Sequence, residues 1–177
     1  MIEIQVAHTA SLDAATLRAV REFLDAVFKR EFSDHDWEHA LGGLHALAWE
    51  DGEVVGHGSV VQRRLLHAGR TLRAGYVEGM GVRADRRRRG IGAAVMEALE
   101  DVVRGAYDVG ALSATDDGAA LYAARGWRLW RGPTSALTPD GVVRTPGDDG
   151  SVYVLPVAAE LDLAGELTCD WREGDLW

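Results

Sequence analysis

The sequence predicts an α/β fold, a mixed and mostly antiparallel sheet flanked by helices, and three observations carry that expectation. Three apolar-rich runs follow one another: "LHALAWE" from residue 44, "VVGHGSVVQRRLLHAG" from 54 and "RTLRAGYVEGMGVR" from 70. Only an Asp-Gly turn and a second glycine-containing turn separate them, which is the pattern of an antiparallel meander. Next, Ile91, Ala94, Val95, Ala98, Leu99, Val102 and Val103 recur at i, i+3, i+4 and i+7, the buried stripe of a helix. Finally "DVGALSAT", "DDGAALYAAR" and "WRLWRG" read as strand, helix and strand, so helices and strands build the same layers instead of separating into blocks.

The remaining elements follow in order. Residues 2–8 alternate apolar and polar, as an edge strand does. Ser11 is placed to cap a helix whose inner face is Leu17, Val20, Leu24, Val27 and Phe28. "FSDHDWEHALGG" is a second short helix stopping at Gly42 and Gly43. Gly126 closes the helix "DDGAALYAAR". Residues 132–150, rich in Gly, Pro and Thr, read as a connection before a last strand, "SVYVLPV". An acidic tail, "AELDLAGELTCDWREGDLW", ends the chain. Residues 1–177 are expected to form one domain, long enough for a sizeable core.

Composition narrows the function classes. A net charge of -9 opposes nucleic acid as the main partner, because duplex affinity rests on neutralising phosphates. It favours a cationic partner instead. Cys169 is the one cysteine, so no internal disulfide forms, and without a basic neighbour in sequence it reads as an inert thiol. No Cys/His group has zinc spacing; His35 and His39 share a helical face but lack a third ligand, so no metal is expected. The start "MIEIQVAHTASLD" has neither a basic end nor an apolar signal core, and no apolar run approaches the roughly 20 residues that span a bilayer. A cytoplasmic protein without membrane attachment is the expectation.

"VRADRRRRGIGAAVMEALE" is the most informative stretch. A strand ends at Val82 and Arg83, an arginine-glycine turn follows, and the long helix starts at once. First-turn N–H groups of a helix lack intrahelical partners and sit at the positive end of its macrodipole, while glycines allow a phosphate to approach the backbone. Four arginines alone would equally make a solvated basic turn. No Gly-Lys-Ser/Thr follows, which removes a nucleotide-hydrolysing P-loop, and the dinucleotide glycine fingerprint is incomplete. Arg87, Arg88, Arg89, Gly90, Ile91 and Gly92 do fit R/Q-x-x-G-x-G/A, and so resemble the coenzyme A pyrophosphate loop of the GNAT acetyltransferases.

The resemblance extends along nearly the whole chain. "DWEHALGGLHAL", "VVQRRL", "GYVEGMGVRAD", "RGAYDVGALS", "LYAARGW", "GPTSAL", "RTPGDDG" and the terminal "CDWREGD-W" are similar to the aminoglycoside 2′-N-acetyltransferases. That resemblance implies the GNAT acyltransferase fold, acetyl-CoA as cosubstrate, an aminoglycoside antibiotic as acceptor (a resistance activity) and a homodimer. It places the general base, acting through water, at Glu78 and the general acid at Tyr122; with Cys169 read as inert, the expected reaction is direct attack without an acyl-enzyme. Local logic agrees with both: Glu78 interrupts an apolar-to-small strand run, and a phenol suits protonation of a thiolate. Taken without the family, Glu78 could as well be a solvent-facing strand carboxylate and Tyr122 a core residue.

The same resemblance implies that the Met80 N–H faces the thioester oxygen and that Met80, Gly81 and Val82 pair with the pantetheine chain, beside a β-bulge near Glu78 and Gly79. It implies acceptor contacts at Glu31, Asp36, Ser113, Asp148, Trp177 with its chain-end carboxyl, and the Gly79 main chain beside Glu78. Two departures bear on which antibiotic is preferred: Glu31 stands where a shorter aspartate is expected, and Gly147 opens a "GDDG" where a longer acidic run is usual. The tail tryptophans are expected to pack back on the body. A GNAT enzyme for another cationic amine (polyamine, peptide or cell-wall precursor) is the alternative; a non-catalytic acyl-CoA sensor is opposed by the presence of both Glu78 and Tyr122.

Overall fold

A computed structural model describes residues 1–29 and 31–177, with only the backbone of Asp116 and Asp117. It divides into two compact units, Met1–Val61 with Val77–Val102, and Gln62–Tyr76 with Val103–Trp177.

In the first unit, β1 (Glu3–His8) pairs antiparallel with β2 (Leu44–Glu50), and β2 pairs antiparallel with β3 (Glu53–His67). Asp51 and Gly52 both take positive φ, 54° and 83°, the tight turn whose twist suits a hairpin. Helix α1 (Ala14–Val27) starts later than the sequence suggests. Ser11 lies in a 3₁₀ turn followed by extended Leu12, and the cap is Asp13, whose Oδ1 accepts the Thr16 N–H at 2.7 Å. A carboxylate accepting from a first-turn N–H makes the stronger, charge-assisted cap, and that bond holds the Asp13 carboxyl below its usual range. Val20, Phe23 and Leu24 of α1 bury against Phe32, Leu47 and Val54.

Helix α2 (Asp34–Ala40) is fixed by a capping box. The Asp36 N–H donates to Ser33 Oγ at 3.1 Å, and Asp36 Oδ2 accepts the Ser33 N–H at 2.8 Å. Strand β4 (Arg70–Val82) feeds α3 (Ile91–Ala106), whose Ile91, Val95, Met96 and Leu99 are buried. The glycines of "GHG" explain how closely α3 lies on β3. A Cβ at Gly56 would stand 2.8 Å from Ile91 Cγ2, and one at Gly58 would stand 2.7 Å from Leu99 Cδ1.

The second unit adds β5 (Val109–Ser113), β6 (Arg128–Leu129), β7 (Thr134–Thr138), β8 (Gly141–Arg144), β9 (Val152–Pro156) and β10 (Leu167–Cys169), in the order β6-β9-β5-β4-β3-β10-β7-β8. β5 runs parallel to β4, and β9 runs antiparallel to β5. β6 is only Arg128–Leu129, shorter than "WRLWRG" suggests, because the Trp127 N–H turns back to the Tyr122 carbonyl at 3.1 Å and the Arg131 and Gly132 N–H groups go to the Leu163 carbonyl, each at 2.9 Å. Helix α4 (Asp116–Ala124) precedes it, with Gly126 at φ 86° just beyond. Residues 132–150, read as a connection, contain a hairpin: β7 and β8. The tail adds β10, parallel to β7 and antiparallel to β3. β7, β8 and β10 lack the longer apolar run that makes β5 and β9 readable at the same short length.

Among the described residues no helix is long and apolar enough to cross a membrane, and no cluster of three or more His, Cys, Asp or Glu could hold a metal.

Candidate active site

The run of four arginines divides into two roles. Arg86 is spent on carboxylates: its Nε binds Glu50 and its Nη1 binds Asp85 at 2.7 Å. Arg83 beside it binds Glu53 and Asp85, each at 2.8 Å. Arg86 accordingly holds the Glu50 carboxyl, and Arg83 the Asp85 carboxyl, below the usual range. Arg87, Arg88 and Arg89 are exposed.

The backbone of this loop is shaped as a cradle. Arg88 takes φ 60° and Gly90 φ 82°. For a non-glycine residue that left-handed conformation costs about 1–2 kcal/mol, a strain that has to be over-determined by its surroundings. Helix α3 makes its first intrahelical bond from the Ala94 N–H to the Gly90 carbonyl at 3.0 Å. The N–H groups of Ile91, Gly92 and Ala93 therefore precede any intrahelical acceptor and present the positive end of a 16-residue helix. Three exposed guanidinium groups and three such N–H groups fit a pyrophosphate.

Upstream on β4, burial stops alternating: residues 74–77 are buried, and Glu78, Gly79 and Met80 are half-buried. Gly79 takes φ 56°, the left-handed conformation found where an extra residue bulges out of a ladder. Its carbonyl accepts from His57 Nδ1 at 2.8 Å. Gly81 is buried, and a Cβ there would stand 2.9 Å from Val27 Cγ1, so the strand runs tight under α1. Glu31 is exposed, and Asp36 commits Oδ2 to the α2 cap.

The second unit brings three of the expected acceptor residues into one network. Ser113 Oγ donates to Ser151 Oγ at 3.3 Å, and Ser151 Oγ donates to the Asp148 carbonyl at 2.8 Å. The Trp177 indole N–H donates to Thr145 Oγ1 at 3.0 Å, and the Asp148 N–H donates to the Thr145 carbonyl at 2.9 Å. Asp149 is tied away, to Arg144 at 2.8 Å and to the Thr134 N–H and hydroxyl. Burial first, then the charges of Asp175 and Asp149, push the Asp148 carboxyl upward. A carboxylate held among others is stabilised by an incoming cation. Ser151, Thr145 and Asp175 had no signal in sequence, since strand pairing and tail docking create their positions.

Tyr122, on α4, is buried, packed near Trp127 and Tyr153, with ring centroids 6.3 and 6.1 Å away. Burial pushes its phenol up to about 12. A Cβ at Gly118 would stand 2.8 Å from Tyr122 Cε2, so the ring lies across the bare backbone one turn earlier. Cys169 is buried with its thiol pushed up to about 11 by that burial, which disfavours the thiolate that a nucleophile needs.

The tail is docked as expected at its end, where Trp177 is buried, though Trp171 stays half exposed. A buried arginine in β3, unsuspected in sequence, does the docking. Arg63 Nε binds Asp170 Oδ1 at 2.8 Å, Nη2 donates to the Asp170 carbonyl at 2.9 Å and Nη1 to the Leu176 carbonyl at 2.7 Å.

Comparison with known proteins identifies the family and the fold. The Acetyltransferase (GNAT) family matches residues 12–127. An aminoglycoside 2′-N-acetyltransferase of Mycolicibacterium fortuitum is 51% identical over 98% of this chain and 91% of its own length. Among solved structures, an acyl-CoA N-acyltransferase of Pseudomonas aeruginosa superposes with TM-score 0.61 at 20% identity, over 87% of this chain and 99% of that one. Escherichia coli ElaA does so with TM-score 0.59 at 20% identity, with the same coverage. The two structures speak to the fold.

Proposed function

Because this chain belongs to the GNAT acetyltransferases, in the aminoglycoside 2′-N-acetyltransferase family, we propose that it transfers the acetyl group of acetyl-CoA to the 2′ amine of aminoglycoside antibiotics. The observation that carries the acceptor class is the acidic network around Asp148, with a carboxyl raised by burial and by neighbouring acids. Its demand for a cation matches a polycationic substrate. The whole chain, residues 1–177, acts as one cytoplasmic acetyltransferase domain. It forms a homodimer, for which the exposed Leu137, Val142 and Val143 at the β7–β8 sheet edge offer apolar area.

Residues take the following roles in this reading. Arg87, Arg88 and Arg89 with the N–H groups of Gly90, Ile91 and Gly92 hold the pyrophosphate, and the main chain of Met80, Gly81 and Val82 pairs with pantetheine. Glu78 takes the proton of the acceptor ammonium through a water. The freed amine attacks the thioester carbon, whose oxygen gathers negative charge facing the Met80 N–H. The C–S bond breaks, and Tyr122 meets the departing thiolate. Glu31, Asp36, the Gly79 main chain, Ser113, Asp148 and Trp177 receive the polar groups of the antibiotic.

Acetyl-CoA turnover against 2′-amino aminoglycosides, 2′-hydroxy aminoglycosides and polyamines tests the reading. Acetylation confined to the 2′-amino compounds is expected. Equal turnover of 2′-hydroxy compounds would sink the regiochemistry, and preferential turnover of polyamines would favour an enzyme for another cationic amine.

Two further outcomes are expected. Gly92→Asp puts a Cβ and a negative charge among the first-turn N–H groups of α3, so acetyl-CoA KM rises steeply while aminoglycoside binding by calorimetry stays near the parent value. An unchanged cofactor affinity would remove the cradle. For Asp148, the ionised form is the one that binds an ammonium, so its contribution is present above its pKa and lost as pH falls through it. Because that pKa is raised, aminoglycoside KM should begin to climb at a higher pH than an ordinary carboxylate would cause. In Asp148→Asn the KM should be higher at neutral pH and this part of its pH dependence absent.

A further inference from the structure

We infer that His57, itself held by His45, is a positioning residue that fixes the Gly79–Met80 peptide so that the Met80 N–H is aimed as the oxyanion donor. The inference rests on the reading of Met80 given above.

The first step is geometric. A trans peptide is planar, so the Gly79 carbonyl and the Met80 N–H share a plane and point in opposite directions. Whatever anchors the carbonyl therefore aims the N–H. An anchor matters here because Gly79 lies in the left-handed region at φ 56°, and glycine crosses between backbone regions more freely than any other residue. A Cβ at this position would stand 3.3 Å from His57 Cε1.

The anchor is one end of a buried hydrogen-bond chain. His57 Nδ1 lies 2.8 Å from the Gly79 carbonyl, His57 Nε2 lies 2.9 Å from His45 Nδ1, and His45 Nε2 lies 2.8 Å from Thr9 Oγ1. The Gly42 N–H donates to Thr9 Oγ1 at 2.9 Å. A carbonyl can only accept, so the proton of His57 sits on Nδ1, and its Nε2 accepts from the Nδ1–H of His45. His45 Nε2, left without a proton, then accepts from the Thr9 hydroxyl at 2.8 Å, in preference to the Gly43 carbonyl that lies 3.3 Å from the same oxygen. Each bond dictates the next, and both tautomers follow from partners alone. Both rings are 0% exposed, and burial pushes them down to about 3 for His57 and about 4 for His45, so they stay neutral at working pH. Because the chain ends on a carbonyl, which has no proton to pass on, its product is orientation and not proton transfer.

The test compares two substitutions at one site. His57→Asn keeps an N–H near the Nδ1 position, whereas His57→Leu keeps none, and both remove the acceptor of His45 equally. The ratio between them therefore reads the bond to Gly79. His57→Leu is expected to lower kcat about 100-fold with acetyl-CoA KM nearly unchanged, the size of effect seen when one oxyanion donor is lost, and His57→Asn to recover most of it. A folded His57→Leu enzyme with near-parent kcat, or a His57→Asn enzyme no faster than it, overturns the inference. Nitrogen-15 NMR of the parent reads the same point without turnover or a variant. A neutral His57 protonated on Nδ1 between about pH 5 and 8 is expected, and a proton on Nε2 overturns it. Rates are taken on whichever amine the parent acetylates, so a wrong acceptor class would show in the parent's substrate panel and leave this comparison intact.

Discussion

Tyr122→Phe is expected to lower kcat by about 10²–10⁴-fold, the range for a lost acid-base group, with little change in acetyl-CoA KM. The ring packs near Trp127 and Tyr153 and across Gly118, and phenylalanine preserves all of that contact, so the fold should be indifferent. What goes is the hydroxyl. Burial raises its pKa to about 12, against about 8.5 for an ordinary thiol, and at 1.36 kcal/mol per unit complete proton transfer to the thiolate is uphill by about 5 kcal/mol. The larger part of the role is then a hydrogen bond to sulfur as charge develops there, with the proton lost by the attacking nitrogen restoring any tyrosinate. On that account, poorer leaving groups should suffer more from the substitution. An oxygen-ester analogue of acetyl-CoA, whose leaving alkoxide is far more basic, is expected to lose more than the thioester. Equal kcat for the parent and Tyr122→Phe would remove the residue from the chemistry.

How much of this was legible in the sequence differs by element. The meander and α3 were, because β3, β4 and α3 are long enough for their periods to repeat several times. The β7–β8 hairpin and β10 were not, since a five-residue strand with Thr and Ser at its ends and the three residues of "LTC" offer no pattern apart from their neighbours. The start of α1 was misplaced by two residues because Ser11 and Asp13 are both good caps, and only the extended Leu12 decides between them. Within the loop, R-x-x-G-x-G located the cradle, yet the sequence could not tell that Arg86 is bound by Glu50, 36 residues away. His45 and His57 gave no signal for a similar reason. They sit 12 residues apart on paired strands, and the ladder between β2 and β3 makes them neighbours.

Arg63→Met is expected to be the most destabilising single change outside the apolar core. Removing one member of a buried ion pair typically costs about 3–5 kcal/mol, because the partner charge is left uncompensated. The lower end applies, since the Arg63 side chain is 5% exposed but that of Asp170 keeps 35%. For a chain of this size about 3 kcal/mol corresponds to a fall in Tm of roughly 6–12 °C. Methionine retains much of the volume but gives up the guanidinium's place over the Tyr76 ring at 4.7 Å, so the loss reads the polar contacts together with that cation–π contact. Arg63→Lys should rescue little, because a single ammonium cannot reproduce a planar fork that reaches Asp170 twice and Leu176 once. Adding Asp170→Asn to Arg63→Met should restore part of the stability by removing the stranded charge. The consequence for function is selective. The segment that Arg63 holds carries Asp175 and Trp177, which act on Asp148 and Thr145, whereas the anion cradle belongs to the other unit. Aminoglycoside KM should therefore rise several-fold in Arg63→Met at a temperature where the enzyme remains folded, and acetyl-CoA KM should not. If calorimetry finds the parent Tm in Arg63→Met, the arginine does not anchor the tail, and if both KM values rise together its effect is not local to the acceptor side.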